Sequence, residues 1–227
     1  MTADKPRVLV CDDEQQILRA LRVILRDAGY EAVPASNGNE ALDRAAVHRP
    51  DAAIIDLVLP DLDGVELCRR LREWSEMPVI VLSAVGDEDA KVRALAAGAD
   101  DYVTKPFGPR ELIARLQATL RRTEPGPEEV VISTDGLEVD LARRTVRREG
   151  EEVHLTPTEF DLLRLLARNR GRLMTHRDLL LAVWGAGYAD DTQVLRAHIA
   201  NLRRKIEPPD GPRYIRTDPG VGYRFAG

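Results

Sequence analysis

Hydrophobic positions in the first half of the chain alternate between short apolar runs and longer segments with helical spacing. The apolar runs are RVLVCD, EAVPA, DAAIIDLVLP, MPVIVLSA and DDYVTK, and each precedes a segment in which apolar residues recur every three or four positions. Near-continuous apolar strands that alternate with amphipathic helices are typical of a parallel sheet covered on both faces. The pattern predicts a doubly wound, five-stranded α/β domain over residues 1–122.

The second half has a different pattern. Residues 123–129 contain two prolines, a glycine and several charges without an apolar anchor, which is typical of a linker. Short strands follow, then two helices, a basic helix, and two extended runs around a Pro-Gly turn. Thr156 and Glu159 form a capping box with Pro157 at the first helical position, so a helix should begin there. We expect a smaller α+β domain over residues 130–227.

Composition narrows the class of protein. No apolar run approaches the 18 or more residues that a membrane span needs, and the first residues lack a secretory signal. We therefore expect a cytoplasmic protein without a membrane partner. Cys11 and Cys68 stand alone in apolar segments, which favours buried thiols over a redox or zinc site. The net charge is −5, but residues 192–206 carry four basic side chains and no acid, and such a local cluster matters more than the total.

Polar side chains end four of the five predicted strands. They are Asp12 and Asp13 after the first strand, Asp56 after the third, Ser83 after the fourth and Lys105 after the fifth. The carboxyl ends of parallel strands meet at one rim of the sheet, where ligands bind. Neighbouring carboxylates need a cation, and Mg2+ prefers oxygen ligands. This set suits phosphoryl transfer to a carboxylate, and Asp56, an acid inside an apolar run, is the natural nucleophile.

Each of these residues also has an ordinary interpretation. Asp13 can cap the next helix, Ser83 can be a loop hydroxyl, and Lys105 can be a solvated charge. All of them together at strand ends favour a site, because clustered ionisable groups mark functional sites more often than chance does.

Four segments resemble the receiver domain of bacterial response regulators: CDDE at 11–14, IIDLVLPDLDG at 54–64, VLSA at 81–84 and GADDYVTKPF at 98–107. The resemblance covers nearly all of residues 7–122. It implies that a sensor histidine kinase phosphorylates Asp56. It also implies that Asp13 and Asp56 bind Mg2+ directly, that the Val58 carbonyl is a third ligand, and that Asp12 helps through water.

The resemblance further implies a switch pair. Ser83 would turn toward the phosphoryl group and Tyr102 would rotate inward behind it. The Lys105-Pro106 peptide resembles one that is cis in this family and would direct the lysine at the site.

The sequence Asp61-Leu62-Asp63-Gly64 also matches the DxDG core of aspartyl-phosphate phosphatases. That motif should end an apolar first strand. Here it follows Pro60 in a loop and precedes a helix, which favours a turn and a helix cap.

Opposite charges on the helices before and after the fifth strand can be matched between two copies of the chain. The pairs are Lys91 with Glu111, Asp101 with Arg115, and Asp100 with Arg122. Composition alone favours solvated surface, where such a pair contributes about 0 to 1 kcal/mol. The resemblance instead implies a homodimer through this face, around Val92, Leu95 and Ala114, that phosphorylation favours by population shift.

The basic helix predicted over residues 192–206 has an apolar face and a polar face. The polar face should hold Arg196, Asn201, Arg203, Arg204 and Lys205. Such a face can enter the major groove, where Arg reaches guanine or phosphate and Asn pairs with adenine. From this segment alone a plain amphipathic surface helix is the more favoured interpretation.

Four segments of the second half resemble the winged-helix effector of the OmpR/PhoB subgroup over residues 130–226: HLTPTEFDLLRLLARNRG at 154–171, LLLAVWG at 179–185, LRAHIANLRRKIE at 195–207 and IRTDPGVGYRF at 215–225. The resemblance makes 192–206 the recognition helix, the terminal hairpin the wing, and 185–191 a loop that contacts RNA polymerase. His198 becomes a phosphate or support contact. Pro219 stands where some relatives have an Arg for the minor groove, which leaves Arg216, Thr217 and Tyr223 as weaker wing candidates.

A narrower likeness to regulators of Kdp potassium-uptake systems runs through LREWSEMPVIVLSA, KPFGPREL and EEVHLTPTEFDLL. The sequence thus predicts a transcriptional regulator, not an enzyme, that binds direct repeats in promoter DNA and controls a potassium-uptake operon after phosphorylation of Asp56. Two alternatives stay open: an enzyme that uses Asp56 as a turnover nucleophile, and a regulator of another operon that needs no phosphorylation.

Overall fold

Five parallel strands form the sheet of the first half of the chain. The strands are β1 (Arg7–Cys11), β2 (Glu31–Ala35), β3 (Ala52–Asp56), β4 (Val79–Ala84) and β5 (Asp101–Lys105), in the spatial order β2-β1-β3-β4-β5. The helices are α1 (Gln15–Asp27), α2 (Gly38–His48), α3 (Gly64–Arg72), α4 (Glu88–Ala96) and α5 (Pro109–Arg121). The predicted doubly wound α/β fold is confirmed.

The computed structural model describes residues 5–84, 87–121, 131–209 and 213–226. The chain divides into two compact units, Met1–Arg121 and Arg122–Gly227. The predicted linker at 123–129 and the predicted dimer residue Arg122 lie outside the described residues.

The sheet is buried because its strands carry apolar side chains on both faces. Every residue of β3 is buried. Helix α1 packs Leu18, Leu21 and Leu25 against the sheet, at the three- and four-residue spacing of one helix face. Full burial of each such leucine contributes about 1.5 to 3 kcal/mol.

Strand order brings the predicted site residues to one edge. The chain moves outward from β1 in both directions, with β2 on one side and β3 on the other, and such a reversal is where doubly wound folds open a ligand crevice. The carboxyl ends of β1, β3, β4 and β5 carry the predicted acids, Ser83 and Lys105. The fold therefore supports a site at this rim.

In the described part of the second unit, two antiparallel sheets combine with three α-helices. The first sheet contains β6 (Val131–Thr134), β7 (Leu137–Asp140), β8 (Thr145–Arg148) and β9 (Glu151–Glu152) in sequence order. The other elements are α6 (Pro157–Arg168), β10 (Leu173–Thr175), α7 (His176–Val183), α8 (Thr192–Ile206), β11 (Ile215–Asp218) and β12 (Gly222–Phe225), and the last sheet has the order β10-β12-β11.

The start of α6 is set by the predicted capping box. The Thr156 hydroxyl accepts a hydrogen bond from the Glu159 amide at 3.3 Å, and the Glu159 carboxylate accepts one from the Thr156 amide at 2.9 Å. Pro157 occupies the first turn. The prediction made for this helix start is confirmed.

Across the described ranges, no helix has the length and apolar character that crossing a membrane requires.

Candidate functional site

Three carboxylates converge at the rim of the first sheet. Asp12, Asp13 and Asp56 each offer an oxygen, and these oxygens lie within 4.8 Å of one another. Asp12 and Asp56 are buried and Asp13 is exposed. Asp12 accepts a hydrogen bond from the Glu14 amide at 2.9 Å, while the Glu14 side chain at the start of α1 forms no capping hydrogen bond. Such a group of hard oxygen donors fits Mg2+.

Lys105 spans two of the three acids. Its Nζ lies 2.8 Å from Asp12 Oδ2 and 2.9 Å from Asp56 Oδ2. Burial raises the pKa of Asp56 above its ordinary value, and Lys105 opposes this rise without cancelling it. The pKa of Lys105 is also raised, because its bonds to Asp12 and Asp56 outweigh the opposing effect of burial. The Lys105-Pro106 peptide is cis, as the resemblance implied.

Ser83 places a buried hydroxyl at the end of β4. Within the described ranges its Oγ has no hydrogen-bond partner. A buried hydroxyl without a partner costs about 1 to 3 kcal/mol, so a ligand oxygen at this point would stabilise it. Ser83 therefore fits a role in holding a phosphoryl oxygen.

The backbone around Asp56 requires a glycine. A Cβ on Gly64 would collide with the Asp56 carbonyl oxygen and would lie 2.7 Å from Leu57 Cα. The Gly64 amide donates to the Leu57 carbonyl at 3.0 Å, which holds the start of α3 against the end of β3. Sequence reasoning used Gly64 only as part of another motif. Val58, the predicted carbonyl ligand, follows this contact in an exposed position.

The DxDG sequence forms helix caps. Asp61 accepts hydrogen bonds from the Gly38 and Asn39 amides at 2.8 and 2.9 Å, at the start of α2. These backbone hydrogen bonds lower the pKa of Asp61. Asp63 accepts from the Val65 amide at 2.9 Å and caps α3. The interpretation as a turn and a cap is confirmed.

The predicted dimer residues are only partly at the surface. Val92, Glu111 and Ala114 are exposed. Asp101 is buried and lies 3.5 Å from Arg115 of the same copy, so its predicted place between two copies is wrong.

Three further predicted dimer positions need correction. Asp100 is fully buried and accepts from Arg72 at 2.8 Å and from the Val79 amide at 2.9 Å, so its predicted place between two copies is wrong. Leu95 packs in the core. Lys91 is buried, bound to Glu88 at 2.8 Å, and therefore does not stand free for a partner's Glu111. Helical spacing alone does not distinguish the inner positions Lys91 and Leu95 from outer ones, and Asp100 lies in the connection between α4 and β5.

Helix α8 exposes a narrower face than the sequence predicted. The exposed residues are Gln193, Arg196, Ala200 and Arg204, which follow the spacing of one helix face. Gln193 and Ala200 were not predicted. Selecting polar side chains missed Ala200 because it is apolar. Gln193 was missed because the prediction gave most weight to positively charged side chains.

Five predicted DNA contacts on α8 and the hairpin are buried or half-buried. Asn201 is 3% exposed, and His198 and Tyr223 are also buried, so their predicted place on the surface is wrong, although His198 fits the support role. Arg203 is bonded to the Ile215 carbonyl, and Lys205 to Glu159 at 2.7 Å. These basic groups hold the domain together.

The terminal hairpin exposes two of its three candidates. Arg216 and Thr217 are exposed on β11, and Pro219 is exposed in the turn that follows.

In the loop predicted to contact RNA polymerase, Ala186, Gly187 and Asp190 are exposed, whereas Tyr188 is buried.

Comparison with known proteins assigns both units. Residues 8–117 match the family described as response regulator receiver domain, and residues 150–225 match the one described as transcriptional regulatory protein, C terminal. The transcriptional regulatory protein KdpE of Mycobacterium tuberculosis is 53% identical over 221 residues, which cover 96% of this chain and 98% of that protein.

Two further relatives agree with this assignment. The KDP operon transcriptional regulatory protein KdpE of Escherichia coli is 47% identical over 223 residues, covering 96% of this chain and 98% of its own length. Among solved structures, the response regulator DrrB of Thermotoga maritima, an OmpR/PhoB homologue, aligns with a TM-score of 0.53 and 34% identity over 99% of this chain and 100% of its own. The chain belongs to the two-component response regulators of the OmpR/PhoB type, which join a receiver domain to a winged-helix DNA-binding domain.

Proposed function

We propose that this chain is a transcriptional regulator whose binding to promoter DNA is controlled by phosphorylation of Asp56. The observation that carries the proposal is the position of Lys105, whose Nζ lies within 2.9 Å of both Asp12 and Asp56. One cation between two buried acids is the arrangement that can neutralise charge on a transferred phosphoryl group.

The chemistry follows from the positions of the side chains. An Asp56 carboxylate oxygen attacks the phosphorus of a phosphohistidine on a sensor kinase, so a new P–O bond forms as the P–N bond breaks. The imidazole nitrogen keeps the electron pair of that bond and takes a proton from water. Lys105 and the Ser83 hydroxyl then bind two oxygens of the aspartyl phosphate. Tyr102 is the proposed partner of Ser83 in the switch.

The three carboxylates are the proposed magnesium site. Asp13 and Asp56 would bind Mg2+ directly, with the Val58 carbonyl, and Asp12 would contribute through water. When bound, Mg2+ supplies positive charge that offsets the acids and the phosphoryl oxygens. Lys105 alone provides one positive charge against three carboxylates, which supports the need for a second cation.

The output is proposed to be a dimer on direct repeats in promoter DNA. Val92, Glu111 and Ala114, with Arg115, remain as the candidate interface after the corrections above. Phosphorylation would favour the dimer, and each copy would place α8 in a major groove. The loop at 185–191, in which Ala186, Gly187 and Asp190 are exposed, is the candidate contact for RNA polymerase, and the cytoplasm is the proposed compartment. Similarity to a protein named as a KDP operon regulator supports a potassium-uptake operon as the target.

The test uses beryllofluoride or acetyl phosphate with Mg2+ on the full chain. We expect the wild type to be modified, to dimerise and to bind fragments from its own genomic neighbourhood more tightly, with footprints on direct repeats. Asp56→Asn should lose all three responses, whereas Asp43→Asn, a change of an exposed acid on α2, should keep them. A response that persists in Asp56→Asn would refute the site. Repeated turnover of acetyl phosphate without a change in DNA binding would favour an enzyme.

A further inference from the structure

The backbone of Ile215 is held from both sides by the end of α8. Its amide donates to Glu207 Oε1 at 2.9 Å, and its carbonyl accepts from Arg203 Nε at 3.2 Å and Nη2 at 2.7 Å. Arg203 lies in the last turn of α8 and Glu207 directly follows the helix, so both contacts come from the carboxyl end of α8. We call this set of contacts the Ile215 clamp.

The clamp occupies backbone groups that the sheet does not use. Strand β11 is an edge strand, paired only with β12 among the described strands. One side of an edge strand presents amides and carbonyls without a strand partner. At Ile215, the first residue of β11, α8 supplies these partners through side chains. The link therefore joins the helix to the hairpin directly, independently of the sheet.

Glu207 has an environment that favours a role in positioning. Its side chain is 1% exposed, and its second partner is Arg213, whose Nη1 lies 3.3 Å from Oε2. A buried carboxylate is costly unless hydrogen bonds and a cation compensate it. An acid also repels DNA phosphates, so Glu207 at the end of a basic helix opposes binding by its charge and can assist binding only through structure.

Arg203 extends the clamp along the hairpin. Its Nη2 donates to the Thr217 hydroxyl at 2.8 Å, and its guanidinium carbon lies 5.6 Å from the centre of the Tyr223 ring. These contacts reach both strands of the hairpin. They flank Arg216, which is exposed on β11 and is a wing candidate.

We infer that Arg203 and Glu207 are positioning residues that fix the wing hairpin to the recognition helix, so that both elements reach one DNA site in a set geometry. The inference rests on the proposed DNA-binding function. It assigns Arg203, expected from sequence to touch DNA, to the internal support of the wing. Preorganised support of this kind raises sequence-specific affinity without adding a contact to DNA.

The sign of the Glu207 effect tests the inference. Glu207→Ala removes the bond to the Ile215 amide, and we expect affinity for the footprinted promoter fragment to fall about tenfold, with no loss of affinity for an unrelated duplex of equal length. Glu207→Gln keeps an acceptor for that amide and should restore affinity to within about twofold. Glu138→Ala, which removes an exposed acid on β7, is the matched control for charge. Promoter affinity that rises or stays unchanged in Glu207→Ala would overturn the clamp, because loss of an acid alone favours binding.

The salt dependence of DNA binding distinguishes a positioning residue from a residue that contacts a DNA phosphate. Arg203→Met should weaken promoter binding while the slope of log K against log salt stays at the wild-type value. Arg204→Met, at an exposed position, should lower the slope by about 0.9, the change for one lost phosphate contact. An equal loss of slope in Arg203→Met would show that Arg203 contacts phosphate and would refute its assignment.

A measurement without DNA keeps the two proposals distinct. Hydrogen exchange of the Ile215 amide in the full chain should be slow in the wild type and in Glu207→Gln, and faster in Glu207→Ala while the amides of α6 stay protected. If the wild type binds no promoter fragment, the proposed function fails, and this exchange pattern still tests the clamp. Equal exchange in all three proteins would refute the clamp itself.

Discussion

The ammonium nitrogen of Lys91 lies 4.8 Å from the centre of the Tyr102 ring. The same nitrogen is 2.8 Å from Glu88 on the preceding turn of α4, and the Lys91 side chain is only 9% exposed. Lys91 is thus held within its own copy by the ring proposed to move on phosphorylation. Rotation of Tyr102 would therefore remove one of the contacts that hold Lys91 within its own copy.

Loss of the Tyr102 ring should expose Lys91. Cation–π contacts contribute about 0.5 to 2 kcal/mol, so Tyr102→Ala should speed acetylation of Lys91 several-fold in the unphosphorylated protein. Peptide mass spectrometry measures the rate. Lys5 is exposed in the wild type and serves as the internal control. An unchanged Lys91 rate beside an unchanged Lys5 rate would show that the ring does not cover the lysine.

Gly64→Ala should distort the rim. The new Cβ meets the backbone of Asp56 and Leu57, atoms that cannot rotate away, so we expect a loss of about 1 to 3 kcal/mol in the free energy of unfolding and slower phosphorylation of Asp56. Urea unfolding and acetyl phosphate labelling measure the two effects. Gly108 directly precedes α5, and a Cβ at this position meets no atom within 4 Å. Gly108→Ala should therefore cost at most about 1 kcal/mol in the free energy of unfolding, the difference between Gly and Ala as helix N-caps. Equal losses in both variants would contradict the steric explanation.

Asp100→Ala should lower the stability of the first unit and should not weaken dimerisation directly. It leaves Arg72 and the Val79 amide without their buried acceptor, so we expect a loss of about 3 kcal/mol in the free energy of unfolding of the first unit. Glu66→Ala breaks surface pairs with Arg69 and Arg70 and should cost at most about 1 kcal/mol. Unfolding in urea measures the free energy of unfolding of both variants. Asp100→Ala with wild-type stability and weaker dimerisation would restore Asp100 to the interface.

The two thiols should be inert in the folded protein. Burial raises the pKa of Cys68 to about 12 and that of Cys11 further above its ordinary value. Because the thiolate is the reactive form, labelling by a disulfide reagent at pH 8 should follow the rate of unfolding. Both residues should react at once in denaturant. Fast labelling of either in the native protein would indicate a redox role.

Asp56→Asn should stabilise the first unit at neutral pH. Because burial raises the pKa of Asp56 in the folded state, the folded protein binds more protons than the unfolded chain, and stability falls as the pH rises from the ordinary carboxyl pKa through the raised value. Asn removes this cost. The gain in Tm should therefore be largest at pH 7 and shrink as the pH is lowered through that window. Asp43→Asn, at an exposed acid, should show no such trend. A gain that grows toward low pH would contradict the sign.

The sequence predicted the features that depend on chain order. Parallel strands must present their carboxyl ends at one edge, so the sequence alone predicts that Asp12, Asp56 and Lys105 lie together. Local hydrogen bonding likewise predicted the start of α6, because Thr156 and Glu159 are only three residues apart. Both predictions rest on geometry within one element or between neighbouring strands.

The features that the sequence did not predict depend on partners far along the chain. Arg203 bonds to Ile215, and Asp100 bonds to Arg72, which no periodicity relates to them. Each residue of a helix turns by about 100°, so a residue at the boundary between faces, such as Asn201, is assigned only when its neighbours are known. Polarity suggested that Asn201 faced outward, and packing placed it inside.

One carboxylate, that of Glu159, bonds to both α6 and α8 in the second unit. Glu159 closes the capping box of α6 and also binds Lys205 near the end of α8. The residues that support α8 are therefore distinct from those it exposes, Gln193, Arg196, Ala200 and Arg204. Exchanges at the exposed positions need not disturb these supports. In evolutionary terms, a duplicated copy of this domain can acquire a new operator one side chain at a time while its fold stays unchanged.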